Sequence, residues 1–197
     1  MDKNIDEKIL DIINAAEKEE LKKDITDGEI KIGDKFYEFE EKKFFDEKFM
    51  IYIPKDFDDM SLKNRKLKYP SENRPEIIKS NEDGTTSITL NIIDSPLIEE
   101  KVSELKDGMK MIIKKTNPAN VFYEDGVLEV NKKNIGYFEF KSSVIDGFLY
   151  NLMFFLEFNE KTLMGTFSCK YDEYEDWRDV AYKILQTIKV IDNKNDN

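Results

Sequence analysis

Histidine is absent from this 197-residue chain, and cysteine occurs once, at Cys169. The first absence removes Ser-His-Asp and Cys-His nucleophile arrangements, imidazole metal sites and histidine acid–base chemistry together. The second excludes an intrachain disulfide and a thiolate metal cluster. Cys169 falls mid-strand on an apolar face, where a buried structural thiol is the ordinary reading. Glycine is scarce, with eight residues mostly at turns, and no phosphate-cradling Gly-rich loop is present. Basic charge is also short: 31 basic against 42 acidic residues give a net charge of −11. That balance argues against nucleic acid as a partner and against direct binding to anionic membranes, both of which need clustered Lys and Arg. No stretch approaches the roughly 20 apolar residues of a membrane span. The opening Met1-Asp2-Lys3-Asn4-Ile5-Asp6-Glu7 lacks the basic start and apolar core of a signal peptide. These features lead to the expectation of a soluble, cytoplasmic protein.

What is present is ordinary globular composition, 40% hydrophobic and 12% aromatic, in a length suited to one core plus an appendage. Ile5, Ile9, Ile12, Ile13, Ala16 and Leu21 recur at helical spacing and predict an N-terminal helix over residues 4–23. Asp27-Gly28 and Gly33-Asp34 are turn signals. They predict a division into a helix and linker (1–34), one domain (35–191) and a disordered polar tail (192–197). Within the domain, residues 35–45 predict one or two short strands, and Phe49–Ile53 a strand stopped by Pro54. Residues 56–65 read as a polar excursion with at most one helical turn. Asn81 to Gly84 predicts a turn, and Thr86–Ile92 a strand. Ser95-Pro96 predicts a helix start, with Ile98, Val102, Leu105, Met109, Ile112 and Ile113 as its apolar stripe.

The rest reads as an antiparallel meander. It comprises strands at 121–124 and 127–130 about an Asp125-Gly126 turn, then 135–144, 148–158 and 162–171. A last helix carries Trp177, Val180, Ala181, Ile184, Leu185 and Ile188. The order predicts an α+β fold, a central antiparallel sheet with helices packed on its faces.

The strand ending at Pro54, Tyr69-Pro70 with Arg74-Pro75, the turn and strand over 81–91, the helix after Ser95-Pro96 and the closing helix 177–188 together resemble the PsbP-like superfamily. That group holds the photosystem oxygen-evolving subunit, Mog-type Ran-binding proteins, DcrB-like proteins and Eag-type secretion chaperones. The resemblance covers residues 36–191 and leaves the N-terminal helix outside. It implies an α/β/α sandwich whose members mostly bind proteins rather than catalyse, and it supplies no catalytic motif. No cofactor and no metal are expected.

Candidate site residues follow from the strand over 148–158, which is apolar on both faces. If Phe148, Tyr150, Leu152, Phe154 and Leu156 pack under helices, then Leu149, Met153 and Phe155 need a second cover. That cover is either a helix, such as the N-terminal one, or a partner. Met153 and Met164 suit an adaptable surface, and Eag-type chaperones, whose sheets cradle apolar client helices, point the same way. Arg74, between two prolines, either bridges strands in an ion pair or clamps a partner. The leading expectation is therefore a non-enzymatic adaptor or chaperone. It would hold an apolar segment of a client protein at Leu149, Met153, Phe155, Met164 and Arg74, and would assemble as a homodimer. The alternatives are self-assembly through the N-terminal helix, and a carboxylate-based hydrolase using Asp58 or Asp59.

Overall fold

The computed structural model describes residues 23–71 and 74–191. The expected N-terminal helix and C-terminal tail lie outside the described residues. The chain opens with a hairpin of β1 (Ile30–Ile32) and β2 (Lys35–Tyr37), followed by β3 (Phe39–Phe44) and β4 (Phe49–Pro54). The stretch read as a linker is part of the fold instead: Ile25, at 1% exposure, and the buried Ile30 and Ile32 join the main core. Then come β5 (Asp58–Asp59), α1 (Leu62–Lys68), β6 (Ile77–Ser80) and β7 (Ser87–Pro96). After them run α2 (Val102–Thr116), β8 (Val121–Val130), β9 (Lys133–Val144), β10 (Gly147–Phe158) and β11 (Lys161–Lys170). The last elements are α3 (Tyr174–Gln186) and β12 (Lys189–Val190).

Seven strands form one antiparallel sheet in the order β5-β6-β7-β11-β10-β9-β8, and β12-β4-β3 form a second, three-stranded sheet. Tight turns fix the register of the large sheet. Asn131-Lys132 and Asn159-Glu160 both take positive φ at two consecutive residues, the geometry that matches the twist of a two-residue hairpin.

Three further expectations differ from the structure. Ser95-Pro96 does not start a helix: β7 runs through Pro96, which sits opposite Lys161 at an irregularity in the ladder. A proline at a strand end costs no ladder bond, so the same residue fits either role. The helix begins only at Val102, after a short 3-10 turn at Glu99–Lys101. Asp125-Gly126 does not turn the chain, because β8 passes straight through with an irregularity between Phe122 and Asp125. The excursion after Pro54 holds α1, capped by the Ser61 hydroxyl accepting from Asn64 N at 3.2 Å.

Alternation along the strands gives the large sheet two distinct faces. On one, Ile88, Leu90, Tyr150, Leu152, Phe154, Leu163, Phe167 and Cys169 meet α3 through Trp177, Ala181, Ile184 and Leu185, and β4 through Phe49, Ile51 and Ile53. Gly165 lies beneath the Phe154 ring; a Cβ there would stand 2.1 Å from it. On the other face, Phe138, Phe140 and Phe155 form a smaller cluster with Leu105, Met109 and Ile113 of α2. Gly136 lets that helix approach, with the Lys106 Cβ only 3.0 Å from where its own Cβ would stand.

Candidate functional site

The division of β10 into two faces is as expected, and the second cover is α2. Phe155 is 0% exposed beneath this helix, so it is core and offers nothing to a partner. Met153 and Met164 are half-buried at the edge of the same cluster, and Leu149 is half-buried near the start of the strand. Arg74 is exposed, and its Nε donates to the Tyr69 and Ser71 carbonyls at 2.8 and 3.0 Å. It staples the turn after α1, and among the described residues it forms no strand-bridging ion pair. Asp58 and Asp59 lie exposed on the edge strand β5, with Asp59 paired to Lys79 at 3.2 Å and Arg65 at 3.6 Å. No group of three or more metal-ligating side chains is assembled among the described residues.

The side of α2 that faces across the sheet can be located from its ion pairs. Lys106 and Lys110 both bond Asp125 on β8, and the Lys110 ammonium lies over the Phe122 ring. Stepping 100° per residue, Gly108 and Ile112 stand on the flank opposite those lysines, toward β11 and β7. Ile112 is 57% exposed, and nothing stands within 4 Å of where a Gly108 Cβ would be. α2 packs on β8, β9 and β10. On β7 and β11 from this side Asn91, Ile93, Met164 and Thr166 stay half-buried, whereas Ser87, Thr89, Thr162 and Ser168 are buried, with Lys68 lying over one end.

The partly covered strip is two strands wide, about 10 Å at the usual strand spacing. That matches the spacing of about 8–10 Å at which a second helix would lie beside α2. Its floor follows from the register. Thr89 pairs with Thr166, and Asn91 with Met164; Thr166, Asn91, Met164 and Ile93 are half-buried. At the α1 end the floor turns polar and closes. Ser87 faces Ser168, whose hydroxyl donates to Asn151 Oδ1 at 2.9 Å, and Asn151 Nδ2 donates to the Ser142 hydroxyl at 2.9 Å. Above Ser87 sits the Lys68 ammonium.

The opposite face contains a fully buried carboxylate. Glu139, 0% exposed, accepts from Arg178 Nε at 3.0 Å and Nη2 at 2.9 Å, from Tyr150 OH at 2.9 Å, and from Tyr182 OH. Burial, then the adjacent carboxylate, pushes the Tyr150 and Tyr182 phenols well above their ordinary value. The bonds to Glu139 hold the Arg178 guanidinium charged. Every oxygen of the carboxylate is satisfied and the group is sealed, so the arrangement clamps β9 to α3 rather than presenting a reactive acid. A cavity of about 360 Å³ beyond the end of α3 is lined by Lys23, Tyr52, Asn131, Lys183 and Thr187, among others. Its polar groups serve the fold: Thr187 Oγ1 accepts from Tyr52 N at 2.9 Å, and Asn131 Nδ2 donates to Ile188 O at 2.8 Å.

Sequence reasoning missed the Gly108–Ile112 flank because Ile112 fits the apolar stripe; only the pairing of Lys106 and Lys110 with Asp125 shows which way the helix is rolled. It missed Glu139 although alternation held the signal: with Phe138 and Phe140 on one face, Glu139 must share the other with Ile135 and Tyr137.

No model of a known protein family matches the sequence, and no curated protein matches it. Solved structures do share the fold. The solution structure of cyanobacterial PsbP (CyanoP) from Synechocystis sp. PCC 6803 superposes with a TM-score of 0.56 at 8% identity, covering 78% of this chain and 92% of that one. A crystal structure from Bacteroides thetaiotaomicron VPI-5482 gives 0.50 at 8% identity over 78% of this chain; the match spans 48% of that longer protein. LpqN, described as involved in cell envelope biogenesis of Mycobacterium tuberculosis, gives 0.49 at 11% identity, covering 73% and 83% of the two chains. The superposition on CyanoP shows the PsbP-like α+β fold in this chain. Among the described residues no helix is long and apolar enough to cross a membrane.

Proposed function

We propose that the protein is a non-enzymatic binding module, a cytoplasmic adaptor or chaperone that holds an apolar helical segment of a partner protein along the strip between α2 and α1. The observation that carries this reading is the exposed flank of α2, Gly108 and Ile112, beside a strip one helix wide. A helix laid there would bury Ile112 and the half-exposed Met153 and Met164, in the manner of helix-in-groove recognition. Methionines adapt their shape to an incoming surface, and Gly108 permits close approach of a second backbone. The contact surface is thus displaced from the one expected: Met153 and Met164 stay in it, Phe155 leaves it, and Ile112 enters. The likeness to secretion chaperones of the Eag type supports the same reading, and a second copy of the chain is the competing occupant.

Capture from the native host with a tagged full-length chain tests the proposal, run beside Ile112→Glu. The wild type is expected to retain one protein with an apolar helical segment. The variant is expected to keep an unchanged circular dichroism spectrum and lose that protein. Identical recoveries from both chains, or recovery of the chain alone at a dimeric mass, would overturn it.

A further inference from the structure

Among the described helices α1 alone has no buried residue, and its Leu62 and Leu67 are 76% and 78% exposed. Polar bonds hold it in place instead. Asn64 Nδ2 donates to the Asp83 carbonyl at 3.2 Å, and Arg65 Nε to the Met60 carbonyl at 2.9 Å. The Lys68 ammonium donates to the Gly84 carbonyl at 3.2 Å and to the Ser87 hydroxyl at 2.9 Å. Burial lowers that amine to about 8, so Lys68 serves as an anchor. The outer face of α1 keeps Lys63, Lys66 and both leucines in solvent.

These anchors fix how α1 is rolled. Asn64 and Lys68 point at the turn before β7, and Arg65 turns to Asp59 on the edge strand β5 at 3.6 Å. Stepping 100° per residue, Lys63 and Leu67 stand on the flank away from β5, facing across the strip toward Gly108 and Ile112. The two helices meet at one end of it. α2 starts over Gly136, which aligns through Phe155 and Met164 with Asn91. It runs toward Phe140, which aligns through Asn151 and Ser168 with Ser87. Lys115, three residues after Ile112 on the same flank, is therefore at the Ser87 end. So is Lys170, exposed at the end of β11 and, by alternation, on the face of Ser168. Of the neighbouring carboxylates, Asp83 is taken up by Thr85, whose hydroxyl and backbone N donate to it at 2.6 and 3.0 Å. Asp59 pairs with Lys79 and Arg65, and Glu82 stands exposed in the turn. A chain of net charge −11 thus gathers Lys63, Lys66, Lys115 and Lys170 around one end of the strip.

We infer that the strip selects an acidic amphipathic helix of a partner protein, apolar where it meets Ile112 and Leu67 and carrying carboxylates at the end over Ser87. The inference rests on the reading of the strip as a helix-binding site and adds the chemistry of its occupant. Ile112 and Leu67 offer apolar contact from either side, and the lysines beside them reach carboxylates on long flexible stems. Charges at such a rim choose among partners and set the rate of encounter more than they add affinity. The net charge of the chain works the other way. Attraction to the molecule as a whole would favour a basic segment, so a preference for an acidic one can arise only from this local cluster.

The test uses the full-length chain and two fluorescently labelled helical peptides with one leucine face in common. One peptide carries glutamates at the polar positions of one end, the other lysines. Binding is read by anisotropy at low and at high salt. The glutamate peptide is expected to bind about tenfold more tightly at low salt, with the margin narrowing at high salt. Changing Lys63→Glu and Lys66→Glu together should remove the margin and leave the circular dichroism spectrum unchanged; should that variant not fold, the ranking on the wild type decides by itself. Ile112→Glu should weaken both peptides. Equal binding of the two peptides, or tighter binding of the lysine peptide, would overturn the inference while leaving the strip as a helix site. Binding of neither, as when residues 4–21 of the same chain or a second copy fill the strip, would overturn both.

Discussion

On the α3 face of the large sheet a wholly enclosed carboxylate accepts hydrogen bonds from Arg178, Tyr150 and Tyr182. On the α2 face the polar row Ser87, Ser168 and Asn151 leads into a strip where Asn91, Met164 and Thr166 are only half-buried. The same strands build both. The first face shows what a finished core does with a charge: it satisfies every lone pair and closes over it. The second is apolar under α2, and beyond it mixes buried Ile78 and Thr89 with half-buried Asn91, Met164 and Thr166. A face left in that condition is where a binding function can reside without weakening the fold.

The comparison is broken most severely by removing the partner of the buried acid. Arg178→Met leaves Glu139 enclosed without its cation, and the expected loss is about 3–5 kcal/mol, read as a lowered urea midpoint. A loss under 1 kcal/mol would mean that the clamp is not what joins β9 to α3.

Adjacent residues of β10 sharpen the contrast further. Phe154 and Phe155 point to opposite faces. Phenylalanine-to-alanine changes in cores cost about 3–5 kcal/mol, according to how far the site can collapse. Phe154 sits over Gly165 between α3 and the second sheet, where little can settle. Phe155 sits under α2, whose outer flank is free to move inward. Phe154→Ala is expected to be the more destabilising, by about 1 kcal/mol, and equal losses in parallel denaturation curves would remove the distinction.

Lys68 gives a smaller effect with a defined sign. Its amine titrates in the folded chain near 8, below the unfolded value, so folding is penalised below pH 8 and the penalty fades as pH rises toward the unfolded value. Lys68→Met should therefore raise stability at pH 7 by about 1 kcal/mol, allowing for partial exposure. The gain should shrink by pH 9.5. A gain that grows with pH would contradict the assignment. The smallest effect belongs to the strip: Ile112→Glu should change stability by less than about 0.5 kcal/mol, which is what makes it a clean probe of binding.

Much of the scaffold was legible in the sequence because alternation and turn chemistry speak locally. Pro54 ended its strand, the 148–158 strand announced two buried faces, and Trp177 to Ile188 announced a core-facing helix. The site was less legible, for reasons of geometry. Ser95-Pro96 satisfies a strand end as well as a helix start, and only pairing with β11 decides between them. Ile25, Ile30 and Ile32 looked like apolar residues in a turn-rich linker, because their partners in α3 and β4 are distant in sequence. Met153 and Phe155 were assigned to one surface since they share a strand face. That α2 covers Phe155 fully and Met153 only in part depends on where the helix axis lies. Lys68 carried no signal at all: in a run of four cations over 62–68, nothing local marks the one that turns toward Ser87.

Photo-crosslinking in the native host tests the central claim most directly. A photoreactive amino acid would replace Ile112 on the α2 flank and, as a control, the exposed Phe36 in β2. The account predicts crosslinks from position 112 to an apolar helical segment of one partner protein, and none to that protein from position 36. Crosslinks from position 112 that fall on residues 4–21 of the same chain would show that the strip is filled from within, and would contradict it.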